Sequence, residues 1–196
     1  MVDYWTRPTL LENWDEGIDT IMAIDENGTP DLKYLKKLKV LSSWDFYAEK
    51  IKPNTKWFTA SGVILERENF QNFKKNFMDL KHNFWENAEF QYKDDIRRIV
   101  FHSREIRNKI GPFDPRDIDN NQFLQELTQV IKKTPFSIYS STINKYELVK
   151  RYHYPMGVYD LSLNFIVERY AMMLNNTGRT GLLFIEARGK KRTKKY

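Results

Sequence analysis

Apolar residues in this chain recur with two different periods, and the two alternate along its length. From Glu68 onward, Phe70, Phe73, Phe77, Leu80 and Phe84 return every three or four positions, with Lys74, Lys75, Asp79 and Lys81 between them. That spacing lays the rings along one face of a helix and the charges along the other. Asn120 is placed to cap a second helix carrying Phe123, Leu124, Leu127, Val130 and Ile131, which closes before Pro135. A third follows Pro155 and Gly157, with Tyr159, Leu163, Ile166, Tyr170 and Met173 on one face, and ends near Asn175-Asn176. Shorter helices are predicted over Leu32 to Leu38 and over Ser103 to Lys109, the latter stopped by Gly111-Pro112.

Between these helices lie short runs rich in β-formers. They are Ile18 to Ile24, Trp57 to Leu65, Ile96 to Phe101, Phe136 to Ile143 and Gly181 to Ile185. Gly62 inside the second run marks a bulge or a close backbone approach. Strands interleaved with helices predict an α/β layer fold. The predicted organisation is an irregular aromatic arm over 1–17, one domain over 18–187 and a basic tail over 188–196. No internal repeat is evident.

Composition narrows the chemistry. At 196 residues, 41% hydrophobic and 30% charged, the chain can bury one substantial core. No run approaches the roughly 20 apolar residues of a membrane span, and the acidic N-terminus lacks the features of a signal peptide, so the expected location is the cytoplasm. The absence of cysteine excludes disulfides, thiolate zinc sites and cysteine nucleophiles. Phosphate-binding Gly-x-x-x-x-Gly-Lys loops, dinucleotide fingerprints, serine-hydrolase elbows and His-Glu-x-x-His helices are missing as well. A net charge of +6, part of it in Arg188, Lys190, Lys191 and their neighbours, suits a phosphate-bearing partner. A row of like charges is also what a solvated terminus looks like.

Three of the apolar runs close on residues able to bind a cation or move a proton. Ile24 is followed by Asp25 and Glu26, Phe101 by His102, and Ile185 by Glu186. Strand ends gather along a sheet rim, so these groups could converge, and carboxylates gathered there would suit Mg2+ or Mn2+. Because adjacent strand residues face opposite ways, Asp25 and Glu26 could share one ion only if the chain has begun to turn, which Asn27-Gly28 favours. Asp25 is therefore the first candidate ligand. The alternative is a turn-forming acid pair with solvated side chains. His102 either serves substrate, within His102-Ser103-Arg104-Glu105, or begins the next helix as a structural residue. Glu168-Arg169 reads as an ion pair from helix to sheet, with Glu168 joining the carboxylate cluster as the alternative.

Taken together, Ile24-Asp25-Glu26-Asn27-Gly28, the strand Trp57 to Leu65, His102 to Arg107 with Gly111-Pro112-Phe113, Tyr159-Asp160 with Glu168-Arg169, and Ile185-Glu186-Ala187-Arg188-Gly189 resemble domain-of-unknown-function family 3800. Its members, common in bacteria and mobile elements, open with an Asp-Glu-Ser-Gly motif, here with Asn27 in place of serine. The resemblance implies a ribonuclease H-like, mixed five-stranded sheet flanked by helices. It also implies a Mg2+- or Mn2+-dependent nuclease site with Asp25, Glu26 and Glu186 as metal ligands and His102 as an accessory group. Arg104, Arg188, Lys190 and Lys191 would then hold RNA or DNA. Family members continue to a second acidic motif, Gln-x-x-Asp, before a last helix, and this sequence reaches Tyr196 without it. Weakened catalysis and self-association into a homo-oligomer are the corresponding expectations, with a non-catalytic nucleic-acid-binding or regulatory role as the alternative.

Overall fold

The computed structural model of the chain describes residues 15–39, 51–92 and 95–185. In chain order the first elements are β1 (Thr20–Asn27), α1 (Lys33–Lys39), α2 (Pro53–Lys56), β2 (Trp57–Glu66) and α3 (Arg67–Phe84). Next come β3 (Glu89–Tyr92), β4 (Asp95–Arg98), α4 (Ser103–Asn108) and α5 (Asn120–Lys133). The last are β5 (Ser137–Asn144), α6 (Lys145–Arg151), α7 (Val158–Thr177) and β6 (Gly181–Ile185). The architecture is mixed α/β. Among the described residues, Asp15 and those of Arg67–Pro135 form one compact unit, and those of Glu16–Glu66 and Phe136–Tyr196 form a second.

The second unit holds a four-stranded sheet in the order β5-β2-β1-β6. β2 runs antiparallel to both β1 and β5, while β6 lies parallel to β1. Met22 and Ile24 of β1, with Phe58, Ala60 and Ile64 of β2, point to one face and join a core with Val158, Ile166 and Tyr170 of α7 and Tyr146 and Val149 of α6. Each fully buried side chain of this kind contributes roughly 1.5–3 kcal/mol. Gly62 sits on that face, where a Cβ would come within 2.5 Å of Met22 Sδ and 3.2 Å of Ile166 Cγ2. The missing side chain thus leaves the space that Met22 of the neighbouring strand and Ile166 of α7 fill. Tyr170 brings a hydroxyl into this core, and it meets Thr20 Oγ1 at 2.7 Å. That partner satisfies a group whose isolation in apolar surroundings would be costly.

The first unit is built around rings. Trp85, Phe113 and Phe123 pack at centroid separations of 5.2–5.6 Å, and Leu80, Ile99 and Ile118 complete the cluster. The phenylalanine rhythm of α3 is thus core packing, with Phe70 and Leu80 buried. Trp85 Nε1 donates to the Pro112 carbonyl at 2.9 Å, so its polar edge is also matched.

Two expectations change here. The strand expected over Ile96 to Phe101 extends only over Asp95–Arg98 and pairs with β3 in a separate two-stranded sheet. The five runs anticipated in one sheet are therefore divided, four in the main sheet and one in this hairpin. Ile99 leaves the strand because it is drawn fully into the aromatic core. The cap of α5 is Asp119, whose Oδ1 accepts from the N–H groups of Asn121 and Gln122 at 2.9 and 3.1 Å. Asn120 is instead buried in the first turn.

Candidate functional site

Strand β1 decides the geometry around the acid pair. It runs through Asn27, with Asp25 opposite Ser61 and Glu26 opposite Ala60, so the turn begins only at Gly28, at φ 100°. The two acids therefore lie within regular strand. Their side chains leave opposite faces of the sheet. Glu26 shares the side of Met22 and Ile24, the side that α7 covers. Asp25 stands exposed on the other. The turn that would have let both hold one ion comes too late in the chain.

Asp25 Oδ1 accepts from the Glu26 N–H at 2.8 Å. Beside it, hydroxyls pair across the strands: Ser61 with Ser140 at 2.8 Å and Thr59 with Thr142 at 3.0 Å. Such cross-strand pairs help to hold the register of the strands beside the acid. The turn after Asn27 is held from the other side. Lys145, fully buried at the start of α6, donates through Nζ to the Thr29 carbonyl at 2.6 Å. Burial lowers its pKa, while the nearby Asp31 charge acts in the opposite direction. Nothing in the sequence distinguishes Lys145 from the many surface lysines.

The parallel pairing of β1 with β6 sets Ile24 opposite Ile185. These are the residues that precede Asp25 and Glu186 in the sequence. Glu186, Arg188, Lys190 and Lys191 lie outside the described residues. His102 and Arg104 belong to the other unit. His102 occupies the N-cap position of α4, is exposed, and makes no side-chain capping bond. Arg104 is exposed on the same helix. The expected rim is thus reduced to the ends of two strands of the main sheet, because the run before His102 is no part of that sheet.

Glu168 and Arg169 are both exposed on α7, and among the described residues they form no ion pair. Likewise, no group of three or more histidine, aspartate or glutamate side chains able to hold a metal occurs among the described residues. Asp25 and Glu26 alone do not fit a single hard cation, since they face apart. No helix of the described residues is long and apolar enough to cross a membrane. Comparison of the chain with family models, with curated proteins and with solved structures found no match.

Proposed function

We propose that the protein is a ribonuclease H-like, metal-dependent phosphodiesterase acting on nucleic acid, with Asp25 and Glu186 as its cation-binding acids. The observation that carries this reading is the register Ile24 to Ile185 between parallel neighbours, each followed in the sequence by an acid. Three further features support it. Asp25 is exposed, it stands on a central strand held on both sides, and its Oδ2 makes no hydrogen bond among the described residues. Oxygen ligands of this kind suit Mg2+ or Mn2+, which would supply an activated water when bound. The chain's own part is to fix the Asp25 carboxylate on a central strand, braced by β2 and by Lys145. Arg188, Lys190 and Lys191 are proposed to hold the phosphate backbone.

A test is cleavage of labelled RNA and single-stranded DNA with Mg2+ and with Mn2+, comparing the full chain with Asp25→Ala. Cleavage should fall at least a hundredfold in the variant, with its melting temperature close to the parent's because the side chain is exposed. Full activity in Asp25→Ala overturns the assignment. A second reading, non-catalytic nucleic-acid binding, is favoured by the Asp25 to Glu26 backbone bond, which is also what a purely structural acid makes. Salt-sensitive binding that is indifferent to metal, with no cleavage, selects it.

A further inference from the structure

Strand β5 is an edge of the four-stranded sheet, paired with β2 on one side only. Among the described residues, no backbone hydrogen bond reaches its outer side. An unpaired edge presents alternating N–H donors and C=O acceptors along its length. Beside this edge runs a groove of about 500 Å³ lined by Ile138, Tyr139, Ser140, Phe165 and Arg169. It continues along α7 past Met172, with Tyr139 and Arg169 common to both stretches.

The helical wall of the groove has a pattern. Phe165, Arg169 and Met172 fall four and three residues apart, so they share one stripe of α7. Phe165 and Met172 are each 47% exposed, which is high for such side chains in the body of a helix. Arg169 between them is exposed and takes part in no hydrogen bond or ion pair. An added strand would direct alternate side chains at this wall, about 6.6–6.8 Å apart. Residues three or four apart on a helix advance about 4.5–6 Å, close to that step. An acid facing Arg169 would then have apolar neighbours facing Phe165 and Met172.

We propose that the β5 edge is a docking site for an extended segment of a partner protein, of the form apolar-x-acidic-x-apolar, added to the sheet with its carboxylate on Arg169. Main-chain bonds to β5 supply affinity, and the Arg169 fork supplies selection for the acid. Charge complementarity identifies the occupant, since the chain carries a net +6 and, among the described residues lining the groove, the cation Arg169 is unmatched. A second copy pairing β5 to β5 fits less well. The segment Ser137–Asn144, SIYSSTIN, has no acid to offer Arg169. A nucleic-acid strand fits less well too, because its backbone phosphates only accept and its base and sugar donors do not repeat with the alternating donor-acceptor spacing of a β edge. The inference stands apart from the proposed cation site.

The probe is a labelled peptide, Ser-Val-Thr-Glu-Thr-Val-Ser, with a twin in which Lys replaces Glu, titrated by anisotropy against the full chain. The Glu peptide should bind at least tenfold more tightly than its twin and should slow amide exchange over residues 137–144. Arg169→Glu should reverse the preference. Arg169→Gln, which removes the charge but keeps a polar side chain, should abolish the preference without reversing it. Equal affinity for the twins, binding of neither at millimolar concentration, or unchanged exchange over residues 137–144 overturns the proposal. So does displacement of the Glu peptide by oligo(dT), which would give the groove to nucleic acid. A dimer that Arg169→Glu dissociates would give it to a second copy and overturns the proposal equally.

Discussion

At the scale of single residues, the strand exit was legible in part. The apolar run to Ile24 and the glycine at position 28 mark a strand and a turn, and both are present. The sequence does not show where the strand yields to the turn, because Asp25, Glu26 and Asn27 are poor strand formers on their own. Pairing with Ser61, Ala60 and Thr59 of β2 keeps them extended. This is a tertiary effect overriding local preference, and it separates the two acids onto opposite faces. Lys145 was illegible for the same reason, as its burial depends on packing against the β1 turn. Its lowered pKa has a sign that can be tested. A lysine whose folded value lies below its unfolded value binds more protons when unfolded, so stability rises with pH between those two values, the upper being about 10.4. Urea melts from pH 7 to pH 10 should therefore show the parent protein gaining stability relative to Lys145→Met as pH rises. A difference that stays flat, or that reverses, would mean the ammonium is not penalised by its burial.

At the scale of elements, helices were read more surely than strands. The 3.6-residue rhythm of α3, α5 and α7 is carried by many apolar positions and survives errors at either end. The short run Ile96 to Phe101 has no such redundancy. The β-branched residues of this run read as a strand of the sheet, yet Ile99 and Phe101 pack with Trp85, Phe113 and Phe123. Helix α6 was not anticipated, because Lys145 to Arg151 is a single short stretch directly after a strand; its cap, Asn144 Oδ1 accepting from the Glu147 N–H at 3.2 Å, explains its start. The cap of α5 was assigned one residue late, since Asp119 and Asn120 are both good caps and only the structure distinguishes them. Asp119→Ala should cost about 1 kcal/mol of stability by losing two N–H partners at the helix start. The matching change Asn121→Ala, on the exposed side, should cost a few tenths at most, within the range of surface substitutions. Equal losses in denaturant titrations of the two variants would remove Asp119 from the capping role.

For the whole molecule, the most consequential feature is that two separate cores serve the described chain. One lies between the four-stranded sheet and α6 and α7, and the other is the ring cluster of Arg67–Pro135. Among the described residues, the second core is contributed by the stretch between β2 and β5, and the prediction is that it loses order without changing the register of the sheet that carries Asp25. A compact unit with its own apolar cluster generally opens as a cooperative block. Phe123 is fully buried and packs against Phe84, Trp85, Phe101 and Phe113 at 5.2–5.6 Å. Removing its ring in Phe123→Ala should cost about 3–5 kcal/mol locally. Hydrogen exchange followed by mass spectrometry should then show faster exchange over 67–92 and 95–133, with 20–27 and 57–66 nearly as protected as in the parent. Ile166→Ala, in the other core, should give the opposite pattern. If both variants accelerate exchange evenly throughout, the two cores form one cooperative unit, and the acid-bearing sheet cannot be treated as a platform independent of the ring cluster.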